Sequence, residues 1–257
     1  MDLLHGASAF TSAFAAGAIN SVAGGGTLVT FPTLIWLGLN SVSANATSTV
    51  AIWPGAVGSM WGYRKELATA DRRMLILTAP SLVGGIAGAL LLRFTPPSIF
   101  DALVPFLILF ATVLFMVQET VQKIFKSGEM RHQSTRWLTG AILFQFFVAL
   151  YGGYFGAGIG ILMLAALSIL GLTDIHQMNG LKNFFALCIN GVAAIYFIVA
   201  KMVEWPYVLI MVAGAIAGGI GGAGLARKMG RTAVRRVVIG IGFAMALSLF
   251  VKWVTKR

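Results

Sequence analysis

Asn20-Ser21-Val22-Ala23-Gly24-Gly25-Gly26-Thr27 interrupts a largely apolar stretch that runs from residue 6 to residue 39. Three consecutive glycines disfavour a helix, because each costs roughly 1 kcal/mol relative to alanine. At membrane depth, non-helical backbone persists only where protein or a water-filled cavity satisfies its polar groups. The stretch therefore predicts two short helices that meet at an unwound tip, either re-entrant or as a short spanning pair.

The composition places this tip in a membrane protein. Of the 257 residues, 58% are hydrophobic and only 11% are charged, and the mean hydropathy is +0.87. Such values exclude an ordinary soluble domain. Six further runs have roughly the 20 residues that a membrane-spanning helix needs: 43–63, 73–93, 98–118, 178–200, 205–226 and 234–253. The chain is predicted to be an all-α, polytopic integral membrane protein.

A second glycine-rich break, YGGYFGAGIG at 151–160, lies within the apolar stretch 136–172. The sequence segments that follow the two breaks align with each other at a constant offset of 134 residues. This alignment pairs Asn45 with Asn179 and Arg93 with Arg227. We therefore predict one membrane domain, 1–257, built from two repeats, each with one broken segment and three transmembrane helices. The predicted bounds are 1–118 for repeat 1, 119–135 for a cytoplasmic linker and 136–257 for repeat 2.

The basic loops do not repeat, and this predicts that the two halves have opposite orientations. Because basic loops stay in the cytoplasm, equivalent loops should lie on opposite sides of the membrane. Inverted repeats with broken helices are typical of secondary transporters, which bind substrate near the membrane midplane. The basic clusters are Arg64, Lys65, Arg72 and Arg73 in the first half, and Arg227, Lys228, Arg231, Arg235 and Arg236 one loop later in the second.

Lys182 is the one basic residue well inside a predicted membrane helix. A cation at that depth costs several kcal/mol unless it is neutralised, and all eight acidic residues fall in loops or near helix ends. An anionic substrate is the natural complement. The alternative is that Lys182 snorkels, with its long stem carrying the ammonium to the headgroups.

Amide and hydroxyl groups accompany this lysine in both halves. Half-helix N-termini at the glycine tips would present free N–H groups and positive dipole ends to an anion. Simple hydrogen bonding between helices is the alternative role for the polar side chains. The predicted substrate-binding set is Asn20, Ser21, Gly24, Gly25, Gly26, Thr27, Asn45, Thr47, Ser48, Gly153, Tyr154, Gly156, Gly158, Asn179, Lys182 and Asn183.

These stretches resemble the TauE/SafE family of sulfite exporters. The resemblance covers nearly the whole chain and implies export or uptake of a small sulfur-containing anion, such as sulfite, a sulfonate, sulfoacetate or thiosulfate. Where relatives commonly have Thr-Ser-Lys, this chain has Gly180-Leu181-Lys182, which keeps the lysine. The matching segments are NSVAGGGTLVTFP at 20–32, ANATS at 44–48, YGGYFGAGIG at 151–160, NGLKN at 179–183 and AGGIGGAGLARKM at 217–229.

The predicted function is secondary transport by alternating access around an anion site at the membrane midplane. The predicted location is the bacterial inner membrane. An anion channel and a carrier of a non-sulfur organic anion are alternatives. A membrane enzyme with Lys182 or Cys188 as nucleophile is disfavoured, because no general base accompanies either residue.

Expected partners are a small anion, the lipid bilayer and a coupling ion, either a proton or sodium, but not nucleic acid. No cofactor or metal is expected, since Cys188 is the only cysteine and cannot form a cysteine cluster. The direction of transport and the oligomeric state stay open, with a homodimer as one candidate.

Overall fold

The computed structural model describes residues 2–22, 25–62, 64–68, 72–126, 135–170, 172, 174–222 and 231–255. All regular structure in these ranges is helical. The helices are α1 (Leu3–Val22), α2 (Thr27–Trp36), α3 (Ser41–Gly62), α4 (Arg64–Ala68), α5 (Thr78–Phe94), α6 (Pro97–Lys126), α7 (Thr135–Tyr154), α8 (Ile159–Ile169), α9 (Ile175–Val199), α10 (Trp205–Ala217) and α11 (Arg231–Thr255). A 3₁₀ turn, Arg72–Leu77, precedes α5, and a π turn, Gly218–Gly222, follows α10.

Four stretches of the described chain are long and apolar enough to cross a bilayer: Met74–Phe94, Pro97–Val117, Gln177–Val199 and Ala233–Val251. They confirm four of the six predicted runs, and their outer faces carry exposed apolar side chains such as Val83, Phe94 and Phe106. The described part of α10 is a shorter apolar helix. The protein is therefore an all-α integral membrane protein.

Both glycine-rich breaks occur where the sequence predicts them. Gly25, Gly156 and Gly158 have positive φ angles of 93°, 79° and 79°, which glycine adopts without steric cost. The second helix of each pair is short, with 10 residues in α2 and 11 in α8. At 1.5 Å per residue, each is roughly 15 Å long, about half of a ~30 Å hydrocarbon core.

The first helix of each pair is longer than predicted. Both α1 and α7 contain 20 residues, because each runs without interruption to the last residues before its break. A broken segment therefore combines one helix of 20 residues with one of about half that length. Similarly, α6 continues through 119–126, the first part of the predicted linker.

Glycines determine two of the closest helix pairs. α1 packs along α10, where a Cβ at Gly218 would overlap the carbonyl oxygen of Phe14. α5 packs along α7, where a Cβ at Gly84 would lie 2.6 Å from the carbonyl oxygen of Phe146. Small residues allow this approach of two backbones in a membrane.

Two further pairs pack in antiparallel fashion. In α3 and α9, Trp53 Nε1 donates to the carbonyl of Leu187 over 3.2 Å, while Thr47 accepts from the amide of Glu204, just beyond the end of α9. In α6 and α11, the Phe106 and Phe250 rings lie 6.3 Å apart, and a Cβ at Gly242 would overlap Thr112. In each pair, a contact at a higher residue number in one helix is made to a lower residue number in the other, so the two helices run in opposite directions.

Candidate functional site

The two breaks lie against the same part of α6. We call Gly25–Thr27 tip 1 and 155–160 tip 2. A Cβ at Gly25 would overlap the ring of Phe115, and a Cβ at Gly158 would lie 3.5 Å from Leu114 Cδ1. The rings of Phe31 and Phe155 also meet edge to face at 5.3 Å, which joins α2 to tip 2. The fold thus brings both predicted tips together within about one turn of α6.

Tip 2 presents a row of backbone donors. Among the described residues, the amide N–H groups from Ala157 to Gly160 have no hydrogen-bond acceptor, and the next amide, Ile161, donates to Gly158 over 3.1 Å. These amide groups lie at the N-terminus of α8, which is the positive end of the helix dipole. Free amides at a helix N-terminus form an anion-binding arrangement.

Two side chains donate to carbonyl groups at tip 2, one within it and one on the residue that precedes it. Tyr151 donates its hydroxyl to the carbonyl of Ala157 over 2.8 Å. Asn45 Nδ2, from α3, donates to the carbonyl of Tyr154 over 2.9 Å. Asn190 of α9 lies close by, since its Oδ1 would lie 3.6 Å from a Cβ at Gly156.

Tip 1 is capped from within its own segment. Asn20 Oδ1 accepts from the amide of Gly26 over 2.8 Å, so this oxygen caps the start of α2. One turn into α2, Thr30 Oγ1 lies 2.6 Å from Ser48 Oγ of α3, and both side chains are fully buried. Ser21's side chain and Gly24 lie outside the described residues.

Lys182 reaches tip 2. A Cβ at Gly160 would lie 3.2 Å from Lys182 Cδ, so the aliphatic stem passes over the first turn of α8. Its Nζ donates to Asn179 Oδ1 over 3.2 Å, and the side chain is half-buried. The stem contact with the broken segment is what the binding hypothesis requires, while the bond to Asn179 directs the ammonium one turn towards the start of α9, as snorkelling also predicts. The binding role itself stays a prediction.

Other members of the predicted set have structural contacts. Thr47 accepts from the Glu204 amide over 3.0 Å and so ties α3 to the start of α10. A Cβ at Gly153 would overlap the Gly85 carbonyl, which makes this glycine part of the α5–α7 contact. The Tyr154 ring packs against Phe100 at 5.5 Å and directs its hydroxyl towards Thr95 at 3.4 Å. Asn183 is half-buried on α9.

The sequence-based set omitted α6, Thr30 and Tyr151. Nothing in the apolar run of α6 distinguishes Ala111, Leu114 and Phe115 from lipid-facing neighbours, so no local pattern identifies them. Tyr151 did carry a signal, because a tyrosine beside a glycine break can cap a free carbonyl.

Comparison with known proteins agrees with this architecture. The family model described as sulfite exporter TauE/SafE matches residues 9–249. A probable membrane transporter protein of Haemophilus influenzae is 28% identical over 252 residues, covering 97% of this chain and 95% of the relative. Probable membrane transporter protein YfcA of Escherichia coli K12 is 25% identical over 243 residues, covering 93% and 87%. Probable membrane transporter protein ORF9 of a Sinorhizobium species is 23% identical over 241 residues, covering 93% and 90%. No solved structure matches the chain.

Proposed function

The chain belongs to the sulfite exporter TauE/SafE family, and from this premise we propose that it carries a small sulfur-containing anion across the bacterial inner membrane. Family membership and the four apolar spans make it a membrane transporter. Sulfite, a sulfonate, sulfoacetate and thiosulfate are the candidate substrates. Export and uptake are both compatible with the site.

One observation carries the proposal: the Lys182 stem lies against the helix start whose amides, Ala157–Gly160, are open. An ammonium and a row of N–H groups together offer charge and directional donors to a compact oxyanion. Inside a membrane, such groups are expensive unless they serve a substrate or a partner. Their combination at one tip supports anion binding.

The packing pattern supports two structural repeats, with residues 1–118 and 136–257 as their bounds. The counterparts are α1 and α7, α2 and α8, α3 and α9, α5 and α10, and α6 and α11. Exchanging each helix for its counterpart turns the α1–α10 contact into α7–α5, α5–α9 into α10–α3, and α6–α8 into α11–α2. All of these contacts occur.

The helix directions support inversion of one repeat relative to the other. The counterparts α3 and α9 run antiparallel, as do α6 and α11, and a two-fold axis relating antiparallel helices lies perpendicular to them, in the membrane plane. Trp53 and Leu187 are equivalent positions that contact each other, so the axis passes between them. With this axis at the membrane midplane, Lys182, which is five residues or roughly 7–8 Å from Leu187 along the helix, would lie inside the hydrocarbon region.

This arrangement supports transport by alternating access. Asn45 of repeat 1 donates to the carbonyl of Tyr154, which precedes tip 2 in repeat 2, so rocking of one repeat against the other would break and remake this contact. A fixed site between inverted repeats is the usual basis of such transport. A proton or sodium gradient would supply the driving force.

Counterflow in proteoliposomes tests the proposal. Purified protein should show saturable sulfite uptake that unlabelled internal sulfite accelerates, with stimulation by an imposed pH or sodium gradient. An anion channel would show neither saturation nor acceleration, and competition by lactate but not sulfite would indicate a carrier of non-sulfur anions.

Lys182→Ala tests the site itself. The variant should remain in the membrane and lose binding by about 100-fold, the upper range for a charged hydrogen bond. Arg93→Ala is the matched control, because it removes an exposed cation at the end of α5. Unchanged affinity in Lys182→Ala would remove this lysine from the site.

A further inference from the structure

We propose that Asn183 and Asn190 line a water-filled half-channel that leads from the cytoplasmic face of the membrane to tip 2, and that the structure is closed towards the opposite face. The inference rests on the proposed transport function and adds to it a path for the anion and the conformation that the structure represents. Asn190 lies outside the binding set predicted from the sequence.

Equivalent residues of α3 and α9 differ in burial. Asn45 and Asn179 have the same side chain and equivalent positions, yet Asn45 is only 1% exposed whereas Asn179 is half-buried. Likewise, Thr49 is 8% exposed and its counterpart Asn183 is half-buried. Because the side chains of the first pair are identical, residue size does not explain the difference. The packing around the first half of α3 is therefore tighter than the packing around the first half of α9.

A polar stripe on α9 faces the more loosely packed region. Residues 179, 183, 186 and 190 share one face at helical spacing, three of them are asparagines, and all four are half-buried. Among the described residues, the amide groups of Asn183 and Asn190 have no hydrogen-bond partner. Amides without a partner are costly in contact with lipid, so these two are expected to face water.

The stripe does not lie on the outer surface of the helix bundle. α9 contacts α3, α4, α5, α7 and α8, and no residue from 177 to 194 is exposed. Towards the end of the helix, Ile195 and Val199 are 56% and 75% exposed. The stripe leads to tip 2, because Asn190 Oδ1 would lie 3.6 Å from a Cβ at Gly156, which is itself half-buried. Water that reaches the stripe therefore also reaches tip 2.

The charge distribution places the open end at the cytoplasm. Because α3 and α9 run antiparallel, α4, which follows α3, lies beside the start of α9. α4 begins with Arg64 and Lys65, and basic segments stay in the cytoplasm. At the opposite end, Thr47 accepts a hydrogen bond from the amide of Glu204, which ties the closed half of α3 to the start of α10.

Cysteine labelling tests the half-channel. In a Cys188→Ser background, which removes the only native cysteine, Asn183→Cys and Asn190→Cys are compared with Thr49→Cys and with Ile195→Cys, the lipid-facing control. The probe is 2-(trimethylammonio)ethyl methanethiosulfonate, a membrane-impermeant cation that an anion carrier does not transport. It reacts with thiolates, and a thiol in apolar surroundings is not ionised. In inside-out vesicles, positions 183 and 190 should react at least about 10-fold faster than position 49, since a minor conformation is populated to roughly 10% or less.

The same variants give the outcomes that would overturn the inference. Equal rates for Thr49→Cys and Asn183→Cys would mean that neither end is closed, and an equally fast Ile195→Cys would mean that labelling needs no water-filled path. Faster labelling of Asn190→Cys in right-side-out vesicles would reverse the orientation. Ala186→Cys, on the same stripe, replaces an asparagine variant that does not fold. Sulfite counterflow by the unaltered protein is measured in parallel, and its absence beside the expected labelling would remove the proposed function but leave the half-channel.

Discussion

Ser48 and Lys182 stand at equivalent positions in the two halves, yet their surroundings differ. Ser48 is fully buried, and its hydroxyl lies 2.6 Å from Thr30 Oγ1. Lys182 is half-buried, and its stem passes over Gly160, which has no side chain to obstruct it. The same helix crossing thus holds a neutral hydroxyl pair in one half and a cation in the other. A scaffold with repeated packing can therefore carry an asymmetric charge.

Ser48→Lys would transfer the charge to the first half, and we expect it to have the largest effect. Thr30 occupies the space that a lysine stem would need, and a buried cation in a membrane helix costs about 3 kcal/mol or more. Most of the protein should fail to accumulate in folded form, as measured by size-exclusion chromatography of a fluorescent fusion. Ser43→Lys, nearer the start of α3, is the control. Normal folding of Ser48→Lys would show that the two halves are interchangeable at this position.

The glycines of the two tips provide a second comparison. Gly25 and Gly158 both have positive φ angles, but only a Cβ at Gly25 would overlap a neighbouring side chain, the Phe115 ring. Gly25→Ala should lower the free energy of unfolding by about 3 kcal/mol, from backbone strain and overpacking together. Gly158→Ala should cost only about 1 kcal/mol, the strain alone.

Thermal unfolding in detergent measures both variants. Gly38→Ala is the matched control, since Gly38 has a φ of +92° and open space around its Cβ position. Equal losses at Gly25 and Gly158 would mean that Phe115 moves aside easily and that tip 1 is not tightly held against α6.

The tips and spans were predictable from sequence because glycine runs and apolar runs are local properties. The convergence of the tips on α6 was not, because Phe115 and Leu114 meet them only through tertiary packing. Likewise, Thr47 and Ser48 look alike in the sequence, but one caps the start of α10 and the other pairs with Thr30. Residue type identified the polar positions in these helices, while the partner of each side chain required the structure.

Lys182→Arg tests whether the space around position 182 accepts only an ammonium group or any positive charge. The charge is kept, but a planar guanidinium is wider and donates in fixed directions. With the stem already close to Gly160, we expect binding of sulfite to weaken about 10-fold, equivalent to ~1.4 kcal/mol. Competition binding measures the change, with Lys201→Arg in an exposed loop as the control. Unchanged affinity would show that only net charge at this position is required.

The α5–α7 and α1–α10 contacts offer the smallest test. Gln145 Nε2 donates to Ser81 Oγ over 2.8 Å in the first contact, whereas Ala215, equivalent to Ser81, lies in the second. Gln145 Oε1 has no donor among the described residues, so this polar pair is incompletely satisfied.

Replacing both partners with Ser81→Ala and Gln145→Leu should change the free energy of unfolding by less than about 1 kcal/mol, because removing both members of a buried pair is nearly neutral. Ser81→Ala alone should be more destabilising, since it leaves the Gln145 amide without a partner. Thermal unfolding of the single and double variants separates these outcomes, and a double variant as unstable as the single one would show that the glutamine itself is needed to hold α5 against α7.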